Sequence, residues 1–199
     1  MKPMLAELSR FVPHTIAIAL IIFVAYLWKN RKKLRILDVI AVTGISTALV
    51  AVATVAITTP VPSTGGYLNL GDTMVMFVSM LFGPVVGAFA GGIGSALGDV
   101  ISGHPSWAPI TLVVKGIEGL TVGYLAKRLE GTPGLVVAGT IGGILMVSGY
   151  FFFEYYAFGF TNAYAELPGN LVQAVTGIIV GTGLAKLIKK MYPGIENLI

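Results

Sequence analysis

The chain has few charged residues and no cysteine. Only 11% of its 199 residues are charged, whereas 55% are hydrophobic, and about a quarter of the residues are charged in an ordinary soluble domain. So few charges cannot cover the surface of a soluble protein of this size, and we expect its long apolar runs to face lipid. The lack of cysteine excludes disulfides, thiol catalysis and cysteine-ligated metal. The composition therefore predicts an integral membrane protein.

The motifs of three enzyme classes are absent as well. The chain contains no Gly-x-Ser-x-Gly nucleophile elbow, and its two histidines, His14 and His104, form no metal-spaced set with Glu. The glycine-rich stretch 91–94 lies in an apolar run, and no Gly-Lys-Ser/Thr follows it, so it is not a phosphate-binding loop. If the protein transports a solute, the energy must therefore come from an ion gradient or from another subunit.

Seven apolar runs, each bounded by charged or turn residues, are candidate helices. They cover residues 11–28, 37–57, 72–82, 84–101, 109–129, 134–157 and 170–188. The third run is about 16 Å long as a helix, which is too short to cross a hydrocarbon core of about 30 Å alone. No segment alternates apolar and polar residues as a strand of a membrane barrel does, so strands are not expected. The predicted fold class is an all-α membrane protein.

Lysine and arginine positions predict the orientation of the chain. If every run crosses the membrane, one side carries ten basic residues, and the loops on the other side, 58–71, 102–108 and 158–169, carry none. The ten are Lys29, Arg31, Lys32, Lys33, Arg35, Lys127, Arg128, Lys186, Lys189 and Lys190. The run 11–28 lacks a small-residue cleavage site and precedes a basic cluster, so we interpret it as an uncleaved anchor. We expect a multi-pass protein of the cell membrane with its N-terminus outside and its C-terminus in the cytoplasm.

Polar side chains are concentrated near the outer ends of the predicted helices. Such groups are costly inside a membrane, which makes each of them a candidate functional residue. The set is Asp72, Asp99, Lys115, Glu118, Glu154, Asn170 and Gln173. Thr111, Lys115 and Glu118 share one helical stripe because they are spaced by four and three residues. We predict a cavity that opens to the outside and is lined by these groups.

Structural roles are the alternatives for several of these residues. Lys115 and Glu118 could form a pair within one helix, and Asp72 and Asn170 could each act as a helix N-cap. Two outer loops lie over the predicted mouth of the cavity: one carries Tyr67 and Asn69, and the other carries His104 and Trp107. Tyr67, Asn69 and Trp107 join the seven residues above as the ten that we assign to substrate binding. The aromatic residues Tyr67 and Trp107 either contact a ligand or belong to the interfacial aromatic belt.

The charges of the predicted cavity constrain its ligand. Asp72, Asp99, Glu118 and Glu154 are four carboxyl groups against the single ammonium of Lys115, which gives a charge of minus three if all are ionised. A buried site does not hold that charge, so some carboxyl groups would be neutral or the ligand would supply hydrogen-bond donors. This arithmetic disfavours a polyanion. It favours a neutral or cationic heterocycle with N–H or O–H groups.

Two predicted helices carry stripes of small residues. One stripe is Gly83, Gly87, Gly91, Ser95 and Asp99, which recur every four residues. It ends in a residue of the predicted cavity, so we expect it to be internal. The other is Ala41, Gly44, Ala48 and Ala51. Small residues let helices approach closely in lipid, and this second stripe suits either docking of a partner protein or packing within the chain.

Four segments together resemble the substrate-binding S components of energy-coupling-factor (ECF) vitamin transporters. They are residues 67–72 (YLNLGD), 81–99 (LFGPVVGAFAGGIGSALGD), 107–109 (WAP) and 115–119 (KGIEG), and the resemblance extends over residues 35–190. It implies a six-helix bundle, here preceded by one extra transmembrane helix. The implied domains are residues 1–35, the extra helix and a basic linker, 36–192, the substrate-binding membrane domain, and 193–199, a short cytoplasmic tail.

The resemblance also implies a function and partners. S components capture a vitamin or its precursor from outside and work with a transmembrane coupling subunit and two ATP-binding-cassette ATPases. This chain would then be no enzyme and would need no cofactor of its own, because the partner ATPases use the ATP. The family docks its coupling subunit through an Ala-xxx-Ala face, and the corresponding pair here is Gly44 and Ala48. The motifs are similar to those of members associated with riboflavin or hydroxymethylpyrimidine.

Two other functions remain open at this stage. A stand-alone proton-coupled carrier would use Lys115, Glu118 and Asp99 as a proton relay, and would transport without ATPase subunits. An intramembrane enzyme would release a chemically changed product and would lose turnover in His104→Ala.

Overall fold

The computed structural model describes residues 36–61 and 65–197. The predicted helix 11–28 and the basic linker that follows it lie outside these residues. The described part contains six helices: α1 (Ile36–Ala56), α2 (Gly71–Phe82), α3 (Pro84–Ile101), α4 (Ala108–Ala126), α5 (Gly131–Phe158) and α6 (Phe160–Met191). Strands β1 (Thr58–Val61) and β2 (Gly66–Asn69) lie between α1 and α2, and a 3-10 turn (Ile195–Asn197) follows α6. The predicted all-α membrane class is confirmed, with this hairpin as an addition.

Helix α2 is short, as the sequence predicts, and it lies in the centre of the bundle. Its 12 residues span about 18 Å, whereas the five other helices have at least 18 residues and a composition that suits a membrane span. Nine of the 12 residues in α2 are buried, because α1, α3, α4 and α6 all pack against it. Charged groups on α2 therefore meet protein groups and not lipid.

Helix α6 begins ten residues earlier than predicted, at Phe160 instead of Asn170. The predicted loop 158–169 is therefore wrong, because residues 160–169 are helical. Only Gly159, with a φ of +87°, separates α5 from α6, and Pro168 lies inside the helix. A proline removes one helical hydrogen bond, but membrane helices tolerate it because neighbouring groups can satisfy the freed carbonyl.

The segment between α1 and α2 forms an antiparallel β-hairpin, with Thr58 opposite Asn69 and Pro60 opposite Tyr67. The expectation that strands are absent is wrong for this short segment. That expectation rested on the long alternating pattern of membrane-barrel strands, which a four-residue strand outside the helices does not need. We refer to the end of the bundle that carries this hairpin as the hairpin end, and to the end with Lys127 and Lys189 as the basic end.

Close helix packing in the centre of the bundle depends on glycine. A Cβ atom at Gly94, in the π-helical turn Ala90–Gly94 of α3, would lie 2.7 Å from the carbonyl oxygen of Thr47 on α1. One at Gly91 would lie 2.5 Å from the carbonyl oxygen of Lys115 on α4. Helix α6 contains a second glycine-bounded π-helical turn at Gly177–Gly181. The small-residue stripe of α3 is buried throughout, which confirms that it is internal.

The small-residue stripe of α1 is open. Ala41, Gly44 and Ala48 are exposed and Ala51 is half-buried, and no described atom of another element lies within 4 Å of a Cβ built at Gly44. Helix α1 packs on α2 and α3 through its opposite side, where Ser46, Val50 and Thr54 are buried. Packing within the described part of the chain therefore leaves Ala41, Gly44 and Ala48 uncovered.

Candidate functional site

A cavity lies at the hairpin end, between β2 and helices α3 to α6. The empty space between its side chains is about 400 Å³ when the part open to solvent is counted, and the volume that the centre of a water-sized molecule can occupy is about 30 Å³. Its lining residues are Tyr67, Asn69, Asp99, Trp107, Thr111, Lys115, Tyr150, Glu154, Glu166, Asn170 and Gln173. Eight of the ten residues that the sequence analysis assigned to substrate binding are among them. The structure thus brings together side chains that are up to 106 positions apart, from Tyr67 to Gln173.

The other two assigned residues, Asp72 and Glu118, do not line the cavity. Both contact Lys115: its Nζ forms an ion pair with Oδ1 of Asp72 and lies 3.3 Å from Oε2 of Glu118. All three side chains are buried. Asp72 and Glu118 therefore pair with the ammonium group without lining the cavity, whereas Lys115 itself lines it. Asp72 does not cap α2 with its side chain, so that alternative is wrong.

Two hydrogen bonds attach the hairpin to the helices. The hydroxyl of Tyr67 donates to Oδ1 of Asp99 over 2.9 Å, and the backbone N–H of Asn69 donates to Oε1 of Gln173 over 2.5 Å. Burial raises the pKa of Tyr67, and the negative charge of Asp99 raises it further. The phenol therefore keeps its proton and remains the donor of this bond. The hairpin covers the cavity because β2 is fixed to both α3 and α6.

His104 stabilises the same attachment. Its ring stacks on Tyr67 with the centroids 4.6 Å apart, and its Nδ1 lies 2.9 Å from the carbonyl oxygen of Gly65. This places His104 against the hairpin, outside the residues that line the cavity. Its contacts give it a structural role and offer no support for the enzyme alternative.

Trp107 and Tyr150 form an aromatic wall on another side of the cavity, and Phe153 and Phe158 pack against Trp107 without lining the cavity. The ring centroid of Trp107 lies 6.4 Å from that of Tyr150, 5.7 Å from that of Phe153 and 5.8 Å from that of Phe158. Trp107 is 9% exposed, so it is a packed cavity residue and not an exposed member of an interfacial belt. Such a wall offers a flat heterocycle a surface for stacking.

Tyr150 is a cavity residue that the sequence analysis missed. Its hydroxyl donates to Oγ1 of Thr111 over 3.1 Å, and Nζ of Lys115 lies 5.5 Å from the centre of its ring. A signal was present, because Tyr150 precedes Glu154 by four residues and therefore shares its helical face.

Carboxyl groups of α5 and α6 form a further side, which we name the acidic side and define by Glu154 and Glu166. Nδ2 of Asn170 approaches Oε1 of Glu154 at 3.5 Å, while Oε2 of Glu154 is buried and has no hydrogen-bond partner among the described residues. Asn170 lies in the interior of α6, so the N-cap alternative is wrong for it. Glu166 was missed because the sequence analysis assigned 158–169 to a loop.

This arrangement suits binding of an organic molecule more than metal chemistry. No three His, Asp or Glu side chains within residues 36–61 and 65–197 are placed to share a metal ion. The cavity instead combines an aromatic wall, one ammonium group, three amides and three carboxyl groups. Apolar surface with a few convergent polar groups is typical of small-molecule sites.

Curated proteins with similar sequences include two that align over most of their length. A Pyrococcus woesei protein named "Uncharacterized protein in gap 3'region" is 50% identical over 141 residues, 71% of this chain and 95% of the relative. The thiamine precursor transporter HmpT of Lactococcus lactis is 32% identical over 164 residues, 81% of this chain and 90% of the relative. A UPF0397 protein of Streptococcus agalactiae is 34% identical over 91 residues, and this chain spans about half the length of that relative.

A family comparison covers most of the chain, including every residue of the cavity. The model of the ECF-type riboflavin transporter S component matches residues 34–190. This range begins just before α1 and ends one residue before the end of α6. The protein is therefore a multi-pass membrane protein that belongs to the family of ECF-type riboflavin transporter S components.

Proposed function

We propose that this protein is the substrate-binding subunit of an ECF-type importer and captures a vitamin or vitamin precursor from outside the cell. The observation that carries the proposal is the cavity at the hairpin end, in which β2 and four helices bring aromatic, amide and charged side chains together. The family match and the similarity to HmpT, which is named as a thiamine precursor transporter, support the same function. The subunit binds its ligand and leaves it chemically unchanged.

The chemistry of the cavity favours a heterocycle of the riboflavin or hydroxymethylpyrimidine type. The wall around Trp107 offers a stacking surface, and Asp99, Glu154 and Glu166 offer acceptors to N–H or O–H groups. Lys115 is the single ammonium group in the lining, and Asp72 and Glu118 already neutralise it. A polyanionic ligand would therefore meet net negative charge.

The orientation follows the positive-inside rule. Lys127, Arg128, Lys186, Lys189 and Lys190 lie near the basic end, and cytoplasmic loops are rich in such residues. The basic end then faces the cytoplasm and the cavity opens to the outside of the cell membrane, with the N-terminus outside and the C-terminus in the cytoplasm.

The partners that we propose are a transmembrane coupling subunit and two ATP-binding-cassette ATPases, which supply the ATP-driven step. The docking surface is the open stripe of α1, formed by Ala41, Gly44, Ala48 and Ala51. Small side chains allow a partner helix to approach closely, and close packing drives helix association in lipid. The subunit itself needs no cofactor.

A stand-alone proton-coupled carrier is the second candidate, and the buried cluster of Lys115, Asp72 and Glu118 favours it. Ionisable clusters inside membranes often relay protons. In this function Asp99 would join the relay. Uptake would then need only this chain, would stop when a protonophore collapses the proton gradient, and would not change when the ATPases are absent.

Mass spectrometry of the bound molecule is the direct test. The full chain is purified in mild detergent from cells supplied with riboflavin and hydroxymethylpyrimidine, and solvent then releases the bound small molecules. We expect one heterocycle at a near-equal molar ratio to protein. An extract without any heterocycle, from protein that elutes as a single folded species, would contradict a high-affinity capture subunit.

A further inference from the structure

The acidic side brings two carboxyl groups to one wall of the cavity from adjacent helices. Glu154 lies in the last turns of α5 and Glu166 in the second turn of α6, and their exposed fractions are only 2% and 5%. Both side chains line the cavity. Neighbouring carboxylates repel each other, and a bound group that carries N–H donors or positive charge relieves this repulsion.

One oxygen of this pair has no partner. Oε1 of Glu154 has the amide of Asn170 at 3.5 Å, but Oε2 is buried without a hydrogen-bond partner among the described residues. A buried acceptor without a donor is costly, and natural structures nearly always satisfy such atoms. Since Oε2 belongs to a side chain that lines the cavity, a donor on the ligand can supply the missing hydrogen bond.

The α4 side of the cavity has the opposite character. The ammonium group of Lys115 has three N–H donors; it donates one to Asp72, and Glu118 lies 3.3 Å away as an ion pair without a hydrogen bond. A remaining donor is available to an acceptor on the ligand, because Lys115 also lines the cavity. The cavity is thus polarised, with acceptors on the acidic side and a donor at Lys115.

We propose that Glu154 and Glu166 bind the amino-substituted edge of the ligand ring and thereby select amino-substituted over oxo-substituted heterocycles. An exocyclic amino group beside a protonated ring nitrogen presents two parallel N–H donors, which match the two oxygens of a carboxylate. A ring carbonyl at the same position directs its lone pairs at the carboxylates and leaves only the adjacent ring N–H as a donor, so the oxo compound forms one hydrogen bond in place of two and is repelled at the carbonyl. This inference rests on the proposed function, because it assumes that the cavity takes a heterocycle.

The test uses a matched pair of probes, 4-amino-5-hydroxymethyl-2-methylpyrimidine and the compound with an oxo group in place of its amino group. Calorimetric titration of the full chain in detergent gives a dissociation constant for each. We expect the unaltered protein to bind the amino compound at least 100-fold more tightly. In Glu154→Gln the amide can donate to a carbonyl, so we expect the amino compound to bind about 10- to 100-fold more weakly and the preference to fall by the same factor or more.

The ratio of the two dissociation constants is the readout, because partial misfolding lowers the fraction of active protein without changing that ratio. Glu166→Gln is the second variant, with the same expected direction. Glu130→Gln is the control: Glu130 is exposed and lies before α5 at the basic end, so we expect its ratio to equal that of the unaltered protein.

Three results would overturn the inference. They are equal binding of the two probes, an unchanged ratio in both Gln variants, and failure of the unaltered protein to bind either pyrimidine. If the protein binds neither pyrimidine but retains riboflavin, the amino preference fails while the capture function stands. A protein that binds no heterocycle at all contradicts both.

Discussion

Lys115 and Asp72 form a buried ion pair that joins helix α4 to helix α2. Nζ of Lys115 contacts Oδ1 of Asp72 although the residues are 43 positions apart, and Glu118 supplies a second carboxylate at 3.3 Å. None of the three side chains is more than 2% exposed. Charges so deep in a membrane bundle persist only if they are paired. The pair therefore explains how the short helix α2 is fixed in the centre of the bundle.

The first prediction concerns this cluster. Lys115→Met leaves Asp72 and Glu118 as buried carboxylates without a cation, and breaking a buried pair in this way costs about 3–5 kcal/mol. Combining Lys115→Met with Asp72→Asn removes one of these carboxylates, so we expect the double variant to be less destabilised than the sum of the single variants. Thermal unfolding in detergent measures the effect. Additive losses would show that the two groups do not depend on each other.

The second prediction concerns ligand affinity. Oδ1 of Asp99 accepts the hydrogen bond of Tyr67, while Oδ2 is buried and has no partner among the described residues. Asp99→Ala removes an acceptor for the ligand, so we expect its affinity to fall at least tenfold, or about 1.4 kcal/mol, while the protein still folds. Titration with the heterocycle recovered by mass spectrometry measures this change.

Asp38→Ala is the matched control for that experiment. Asp38 is an exposed residue near the start of α1, and its loss leaves the cavity unchanged. We expect the unaltered affinity in this variant. If Asp99→Ala also binds with the affinity of the unaltered protein, Asp99 does not contribute to ligand binding.

The helices were predictable from the sequence because lipid imposes a simple rule on composition. Long apolar runs must be helical spans, and polar groups inside them need partners or a water-filled cavity. For this reason residues as distant as Asp99 and Gln173 could be assigned to one cavity without any structure. The glycine stripe of α3 was also predictable, since regular spacing every four residues defines a single helical face.

The pairing of side chains and the start of α6 were not predictable in the same way. Position along a helix predicts the depth and the helical face of Asp72 and Glu118. It does not predict that both side chains pair with Lys115 and therefore do not line the cavity. Pro168 and Gly169 indicated a loop by local propensity, whereas the bundle keeps that segment helical. The packing of the bundle therefore places Glu166 in the cavity lining. No pattern in the sequence indicated this position.

The third prediction concerns the attachment of the hairpin. Tyr67→Phe removes the hydroxyl that donates to Asp99 but retains the ring that stacks on His104. A single hydrogen bond contributes about 0.5–1.5 kcal/mol, so we expect the ligand to dissociate about 2- to 10-fold faster. Stopped-flow measurement of ligand release checks this, with Tyr192→Phe as the control because Tyr192 is exposed at the basic end. Unchanged release would show that the bond does not retain the ligand.

The same bond gives a pH dependence with a definite sign. The pKa of Tyr67 is raised, first by burial and then by Asp99, so the phenol is neutral at a pH where a free tyrosine begins to ionise, near 10. Its contribution is fully present below that ordinary pKa and is lost only when the pH rises through the raised value. We therefore expect the difference in release rate between the unaltered protein and Tyr67→Phe to persist up to about pH 10.

The last prediction concerns the open stripe of α1. A leucine at Gly44 or Ala48 adds bulk where a partner helix would approach, and close approach is what small residues provide in lipid. In cells that also produce the coupling subunit and the ATPases, we expect Gly44→Leu and Ala48→Leu to lose co-purification with them and to keep the affinity for the ligand. Ala56→Leu adds the same side chain at an exposed position at the far end of α1, and the complex should survive it. If Gly44→Leu and Ala48→Leu co-purify as well as Ala56→Leu does, the coupling subunit binds to a surface other than this stripe.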